Sequence, residues 1–270
     1  EVLLMGLSPM EPLAWIETDD DIERYHRHKL QQRRQNDTKV YRTLPSSLPA
    51  QRELAQLLQS YLLSQQPDNY QLENGRLRCL PGNFSVDTEA PEPLWHCSLL
   101  VADDLVIMER DEDQYTLTAA SLCSASHWYL EEKFGHTLRD IHDPIPGFHP
   151  RLSDKIDRFF MHLRPSHPVV RFNWAVQAGN NLQQLPHQEP RVQRNTPLFY
   201  RCERQSLIRL PDSHAVAFTI RVYLHPLEML ADIDGALPAL FAAIDNTPAA
   251  LYRYKGFDEL APALDKYRCA

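Results

Sequence analysis

The chain has 270 residues and a formal net charge of −8, and hydrophobic residues make up 43% of it. This composition indicates a globular protein with a sizeable core. The negative charge argues against nonspecific binding to nucleic acid or to an anionic membrane. No apolar run approaches the roughly 20 residues of a membrane helix, and no basic region precedes the first apolar residues, so we expect neither a membrane protein nor a secreted one.

The five cysteines are widely spread, and none forms a CxxC pair. This pattern argues against a disulfide framework, a cysteine zinc site and a protein-bound iron–sulfur cluster. A reducing cytoplasm is therefore the expected compartment. The sequence also lacks GxGxxG, GxxxxGK[ST], GxSxG and HExxH motifs. It therefore carries none of these common signatures of nucleotide-binding proteins, serine hydrolases and zinc proteases.

The first 98 residues are predicted to form a helical and irregular extension. Acidic residues open a first helix over 19–35, and leucines recur at helical spacing in a second one over 48–65. Residues 66–98 are polar and proline-rich, so we expect an irregular excursion with one short strand near 77–80. Whether this excursion is a lid or a partner surface stays open.

Strand patterns dominate the next part of the chain. One strand, or two short ones, is predicted over 98–111, with a hairpin partner over 114–122. Helical segments are predicted to follow at about 128–134 and 151–164. Three strands with period-two alternation then cover about 169–177, 198–210 and 215–224. The order of two strands, inserted helices and three strands predicts an α+β fold with a five-stranded antiparallel sheet. We assign one domain, with a core at 99–225 and C-terminal helices at 226–270.

The stretch "RCERQSLIRLPDSHAVAFTIRVYL" is dense in charge. Alternation places Glu203 on one face of its strand and Arg204 on the other, and Arg221 lies opposite an apolar face of the next strand. If the sheet is covered, Arg221 and Glu203 must be paired or must hold a ligand. The alternative is a solvent-exposed sheet face with surface ion pairs.

Two further segments offer ligand-binding side chains. In "RFNW", Arg171 and Asn173 share one face while Trp174 packs inward; the alternative is a structural tryptophan beside two surface polar residues. In "RYKG", Lys255 precedes a glycine turn, and the alternative is a solvated loop lysine.

Four histidines compete as a metal ligand. His142 lies in "IHDPIPGF", where two prolines and a glycine restrict the backbone, and it is placed in the loop between the two helical segments. His149 is the runner-up. His136 resembles a helix-end residue, and His162 lies on an amphipathic helix. The residue pattern alone does not decide which of the four histidines binds a metal.

Several segments together resemble the α-subunit family of haem-dependent oxidative N-demethylases. They are "MGLSPMEPLAWIETDD", "HWYLEEKFGHTLRDIHDPIPGF", "VVRFNW", "YRCERQSLIRLPDSHAVAFTIRVYLHPLE" and "YRYKG", in the family's order over most of the chain. The resemblance implies a PAS-like fold that binds haem b, with His142 as the axial iron ligand. It further implies a catalytic role for Arg221, Glu203 and Arg204, and cofactor contacts from Arg171, Asn173, Trp174 and Lys255.

The resemblance also implies a monooxygenase reaction. A small secondary amine such as dimethylamine would be demethylated with O₂ to a primary amine and formaldehyde. Electrons would come from NADPH through FMN and a 2Fe–2S cluster on a partner subunit, where tetrahydrofolate would capture formaldehyde. Two alternatives remain: a haem-binding PAS-type gas or redox sensor without turnover, and an interaction protein that has lost haem.

Overall fold

The computed structural model describes residues 6–112, 114–146, 150–185 and 191–268. Helices and strands alternate in long blocks along these residues. The helices are α1 (Ile22–Asn36), α2 (Leu48–Gln65), α3 (Pro93–Ser98), α4 (Leu130–Lys133), α5 (Leu138–His142), α6 (Pro150–His162), α7 (Ala236–Asp245), α8 (Ala249–Tyr254) and α9 (Phe257–Arg268). The strands are β1 (Ser8–Pro9), β2 (Tyr41–Thr43), β3 (Tyr70–Glu73), β4 (Arg76–Cys79), β5 (Phe84–Asp87), β6 (Asp104–Asp111), β7 (Gln114–Ser121), β8 (Val169–Ala178), β9 (Leu198–Arg209) and β10 (Val216–Pro226). None of the described helices is both long and apolar enough to cross a membrane.

A seven-stranded antiparallel sheet forms the centre of the α+β fold. Its strand order is β1-β8-β9-β10-β6-β7-β2. The five predicted strands are its five central ones, and α4, α5 and α6 lie between β7 and β8 as expected. The prediction of five strands is wrong by two, because β1 and β2 have only two and three residues and leave no periodic pattern.

The small second sheet corrects the prediction for residues 66–98. These residues form the three-stranded sheet β3-β4-β5 and α3, rather than an irregular excursion with one strand. Asn74 and Gly75 connect β3 to β4 with positive φ angles of 50° and 74°. Asn-Gly is the preferred pair for such a two-residue hairpin turn, so the signal was present in the sequence.

The long β9–β10 hairpin is held at its turn by a buried carboxylate. Glu53 of α2 accepts hydrogen bonds from the backbone N–H groups of Asp212 and Ser213, at 2.7 and 2.8 Å. Because these donors would otherwise lack partners, Glu53 fixes the turn that sets the register of the two strands. Register places Arg221 opposite Arg204 and Val222 opposite Glu203.

The two faces of the large sheet have different covers. One face, called here the insert face, carries Glu203 and lies under the inserted helices, since Arg209 on that face donates to the Phe160 carbonyl of α6 at 3.1 Å. The other, called here the strap face, carries Arg204 and is covered by the N-terminal segment, whose Trp15 carbonyl accepts from Arg204 at 2.9 Å. Since Arg201, Arg204 and Arg221 are all at most 4% exposed, the alternative of a solvent-exposed sheet face is wrong.

Candidate functional site

His142 is the last residue of α5 (Leu138–His142), so the loop expected between the two helical segments contains a short helix, and the predicted loop position of His142 is wrong. The side chain of Thr137 accepts from the backbone N–H of Asp140, and Asp140 reciprocates, which forms a capping box that begins the helix. Nδ1 of His142 lies 2.8 Å from the carbonyl oxygen of Leu138. A carbonyl only accepts hydrogen bonds, so Nδ1 carries the hydrogen and Nε2 carries the lone pair that can bind a metal.

Burial keeps His142 in this neutral form. Desolvation lowers its pKa, the Leu138 carbonyl opposes that shift, and the positive charges of Arg171 and Lys133 lower it further. Neutral imidazole is the form that ligates a metal. His136 and His162, by contrast, are exposed. The runner-up His149 lies outside the described residues.

Four side chains converge on the insert face at β8 and β9. Register places Asn173 opposite Glu203, and the Asn173 amide nitrogen lies 3.3 Å from Oε2 of Glu203. Gln205 donates to the same oxygen at 3.0 Å. Arg171 lies opposite Gln205 on this face, and its buried Nε has no hydrogen-bond partner among the described residues. Burial lowers the pKa of Arg171, while the charge of Glu203 opposes that shift.

Arg201 completes the cluster, although it was not among the predicted site residues. Its Nε donates to Oε1 of Glu203 at 2.8 Å, and its other nitrogens donate to the carbonyls of Leu182 and Ser124 at 2.8 and 2.6 Å. Burial alone would raise the pKa of Glu203. The charge and hydrogen bond of Arg201, together with the hydrogen bonds from Asn173 and Gln205, instead bring this pKa below its ordinary value. Glu203 is therefore an anion fixed by three donors.

Lys255 approaches the cluster from the C-terminal helices. Its Nζ donates to the Trp174 carbonyl at 2.7 Å and lies 4.7 Å from the centre of the Trp174 ring. Burial lowers the pKa of Lys255, the charge of Glu203 raises it, and the charge of Arg171 lowers it. The solvated-lysine alternative is wrong, because this side chain is held at the edge of β8. Trp174 itself lies on the strap face and stacks on Phe257 at 6.1 Å.

Arg204 and Arg221 lie on the opposite face of the sheet from Glu203. Arg204 donates to the carbonyls of Ala14 and Trp15, and Arg221 forms an ion pair with Asp19 at 2.6 Å. The expected triad of Arg221, Glu203 and Arg204 is therefore not one cluster. The predicted alternation of these side chains along the strands is confirmed. The strap face, however, is covered by the chain's own N-terminal segment rather than by a ligand.

A separate groove of about 720 Å³ lies between α1 and residues 180–183. Arg24, Arg27 and His28 line it, together with glutamine and asparagine side chains. None of the cluster residues around Glu203 lines this groove.

The cluster can do two things chemically. His142 offers a nitrogen lone pair to a transition metal. Arg171 and Lys255 are two half-buried cations beside one carboxylate whose charge Arg201 already neutralises, so the site has a surplus of positive charge for an anionic group. These residues come from α5, β8, β9 and the end of α8, which are far apart in sequence.

A family model for haem-dependent oxidative N-demethylase, alpha subunit-like, matches residues 6–264, nearly the whole chain. The family's name implies dependence on haem and a place in a multisubunit enzyme. The chain belongs to the haem-dependent oxidative N-demethylase alpha subunit-like family.

Proposed function

We propose that this chain binds one haem b through His142 and oxidatively demethylates a small secondary amine. The observation that carries the proposal is a neutral histidine together with two half-buried cations that exceed the negative charge of the site. A haem needs one axial nitrogen and counter-charges for two propionates. His142 supplies the first, and Arg171 and Lys255 supply the second.

The unpartnered Nε of Arg171 supports this fit. A buried guanidinium nitrogen without a partner costs free energy, and a carboxylate of the bound group would provide the missing acceptor. The other predicted cofactor contacts are Asn173, on the same face of β8 as Arg171, and Trp174, which lies on the strap face and contacts Lys255. The His142–Leu138 hydrogen bond would orient the ring and raise the basicity of Nε2.

Haem, when bound, supplies the O₂ chemistry that converts an N-methyl group to formaldehyde. Glu203 would bind and orient the substrate. Arg201, Asn173 and Gln205 use three of the roughly four acceptor positions of an ionised carboxylate, which leaves one for an ammonium N–H. Because Arg201 holds Glu203 in place without substrate, the amine would meet a prepared anion in a water-poor site.

A catalytic role for Arg204 and Arg221 would be indirect under this proposal. Both hold the N-terminal segment against the strap face, and Arg204 is the cross-strand neighbour of Phe172, between Arg171 and Asn173 on β8. They would act as positioning residues for the strands that carry Glu203.

The electrons would come from a partner subunit that carries FMN, a 2Fe–2S cluster and an NADPH site, with tetrahydrofolate there to accept formaldehyde. The α-subunit family supports a partner of this kind. We also propose that the fold is PAS-like, with 99–225 as core, because two strands, inserted helices and three strands form the centre of the sheet.

The test is reconstitution of the purified full chain with haemin, followed by aerobic turnover. We expect a one-to-one complex with a Soret band, and formaldehyde release from dimethylamine with NADPH, a ferredoxin and its reductase as surrogate donors. Tetramethylammonium, which has no N–H for Glu203, is the control and should release none. Haem binding without formaldehyde release from any secondary amine would favour a sensor, and failure to bind haem would overturn both readings.

A further inference from the structure

A buried carboxylate on the strap face has no counter-ion of its own. Asp103 is fully buried, and neither of its carboxylate oxygens accepts a hydrogen bond from a described residue. It lies one residue before Asp104, which pairs with Ile220, so antiparallel register places Asp103 beside Arg221. Arg221 has a buried Nε and Nη1 that likewise lack partners among the described residues.

Asp103 is the carboxylate of its cluster that has no cation of its own, because each neighbouring cation is paired with another carboxylate. Three cations lie nearby, and each already faces another carboxylate: Arg204 with Glu17 at 3.1 Å, Arg221 with Asp19 at 2.6 Å, and Lys29 with Asp104 at 4.0 Å. A buried carboxylate without donors or a counter-ion is the one that retains a proton. Asp103 is therefore the group in this cluster whose charge state changes most readily.

Arg221 connects Asp103 to the N-terminal segment. We call residues 10–19 the strap; Arg221 holds its end through Asp19, whose side chain is 48% exposed. The guanidinium carbon of Arg221 also lies 4.3 Å from the centre of the Tyr25 ring, a cation–π contact. We infer that Asp103 and Asp19 compete for Arg221, so that the protonation state of Asp103 sets how firmly the strap is held on the sheet.

The direction of the effect follows from the geometry and the environment. Burial raises the pKa of Asp103 to about 6, although the positive charges of Arg221, Lys29 and Arg204 oppose that shift. Below that pH, Asp103 is neutral and Arg221 keeps its ion pair with Asp19. Above that pH, the Asp103 anion attracts Arg221 through Nε and Nη1, the nitrogens that have no partner among the described residues. The ion pair between Arg221 and Asp19 then weakens.

The groups that act on Asp103 come from every element packed around it. They are Lys29 on α1, Tyr70 on β3, the neighbouring Asp104 on β6, Arg204 on β9, and Arg221 and Tyr223 on β10. Burial raises the pKa of both tyrosines above 10, and arginine stays charged at physiological pH. Asp104 faces Lys29 at 4.0 Å and accepts a hydrogen bond from the Ser124 N–H at 2.6 Å, which leaves Asp103 as the carboxylate of this pair with neither an ion-pair partner nor a donor among the described residues.

Hydrogen exchange of the full chain at pH 5.5 and pH 7.5, corrected for intrinsic exchange rates, tests this inference. We expect amides of the strap to exchange about tenfold faster at the higher pH, the effect of a 1.36 kcal/mol change. Asp103→Asn should keep them slow at both values, because asparagine resembles the protonated acid. Asp20→Asn, an exposed change in the same acidic run, is the control and should behave as wild type.

Asp19→Asn decides the matter independently, since an exposed residue can be replaced without disturbing the core. Its strap should exchange fast at both pH values. Identical pH profiles for wild type and Asp103→Asn, or a strap that stays pH-sensitive in Asp19→Asn, would overturn the inference. Neither outcome bears on haem binding, because the strap and His142 lie on opposite faces of the sheet.

Discussion

Nδ1 of His142 lies 2.8 Å from the carbonyl oxygen of Leu138, one helical turn earlier in α5. His162 makes the same contact in α6, with Nδ1 2.7 Å from the carbonyl oxygen of Arg158. The two histidines therefore share a tautomer and a local geometry. They differ in surroundings, because His142 is half-buried and feels the charge of Arg171, whereas His162 is exposed.

Because His142 and His162 share this local geometry, their alanine variants form a matched pair. His142→Ala should lose stoichiometric haem binding, because the axial nitrogen is removed, and added imidazole should restore a low-spin spectrum by filling the space. His162→Ala should bind haem as the wild type does. The measurement is a haemin titration followed at the Soret band, with circular dichroism to show that each variant is folded.

An unchanged haem spectrum in His142→Ala would contradict the axial assignment. His149 would then be the next residue to replace. Loss of haem from both variants would instead indicate that the inserted helices as a whole, rather than one nitrogen, determine binding.

The fold could be predicted largely from alternation and helical spacing. α2 has the predicted bounds, and β8, β9 and β10 fall within a residue or two of theirs, because each combines a long pattern with a clear turn or cap. The seven-stranded extent could not be predicted, since β1 and β2 are defined by pairing with distant strands rather than by their own two or three residues.

The site was predicted residue by residue but not as an arrangement. Alternation correctly separated Glu203 from Arg204 along β9, yet it cannot say what covers each face. The strap that pairs with Arg204 and Arg221 comes from about 190 residues away in sequence, as the separations of those hydrogen bonds show. Arg201 shares the face of Glu203 and has the opposite charge two residues away, and this is the signal in the sequence from which the pair could have been predicted.

Arg171→Met should have effects of opposite sign on the apoprotein and on haem binding. Removing a half-buried guanidinium with an unpartnered Nε should raise the free energy of unfolding of the apoprotein by about 1–2 kcal/mol. Loss of a propionate partner should weaken haem binding by roughly tenfold. Urea unfolding and haemin titration measure the two quantities, and Arg191→Met on the surface is the control for each.

Haem dimethyl ester sharpens this test because its propionates carry no charge. Wild type and Arg171→Met should bind the ester equally well. A tenfold difference that persists with the ester would mean that Arg171 shapes the pocket without pairing with a propionate.

Arg201→Met should be strongly destabilising, by about 3–5 kcal/mol, because it removes the ion-pair partner of a buried carboxylate and the hydrogen-bond donor of the Leu182 and Ser124 carbonyls. Glu203→Gln in the same chain should recover part of that loss, since the stranded charge is then gone. Urea unfolding of the two single variants and the double variant gives their coupling energy. Additive losses would show that the ion pair contributes nothing, and Arg194→Met, an exposed change, should stay within about 0.5 kcal/mol of wild type.

Glu203 and Asp103 should make opposite contributions to the pH dependence of stability. The folded pKa of Glu203 lies below its unfolded value, so its contribution is present above that unfolded value and is lost as the pH falls through the folded pKa. The folded pKa of Asp103 is raised to about 6, so its contribution is complete below the unfolded value of 3.8 and is lost as the pH rises through about 6.

Urea unfolding of three chains between pH 3 and pH 8 should separate these two contributions. Asp103→Asn should remove the fall in stability between about pH 4 and pH 6, so the variant should gain relative to wild type as the pH rises across that range. Glu203→Gln should be most destabilising at neutral pH, and its deficit should shrink as the solution is acidified below pH 4. A deficit of Glu203→Gln that is constant over the whole range would show that its amide retains the bonds of the anion, and that the charge of Glu203 does not stabilise the sheet.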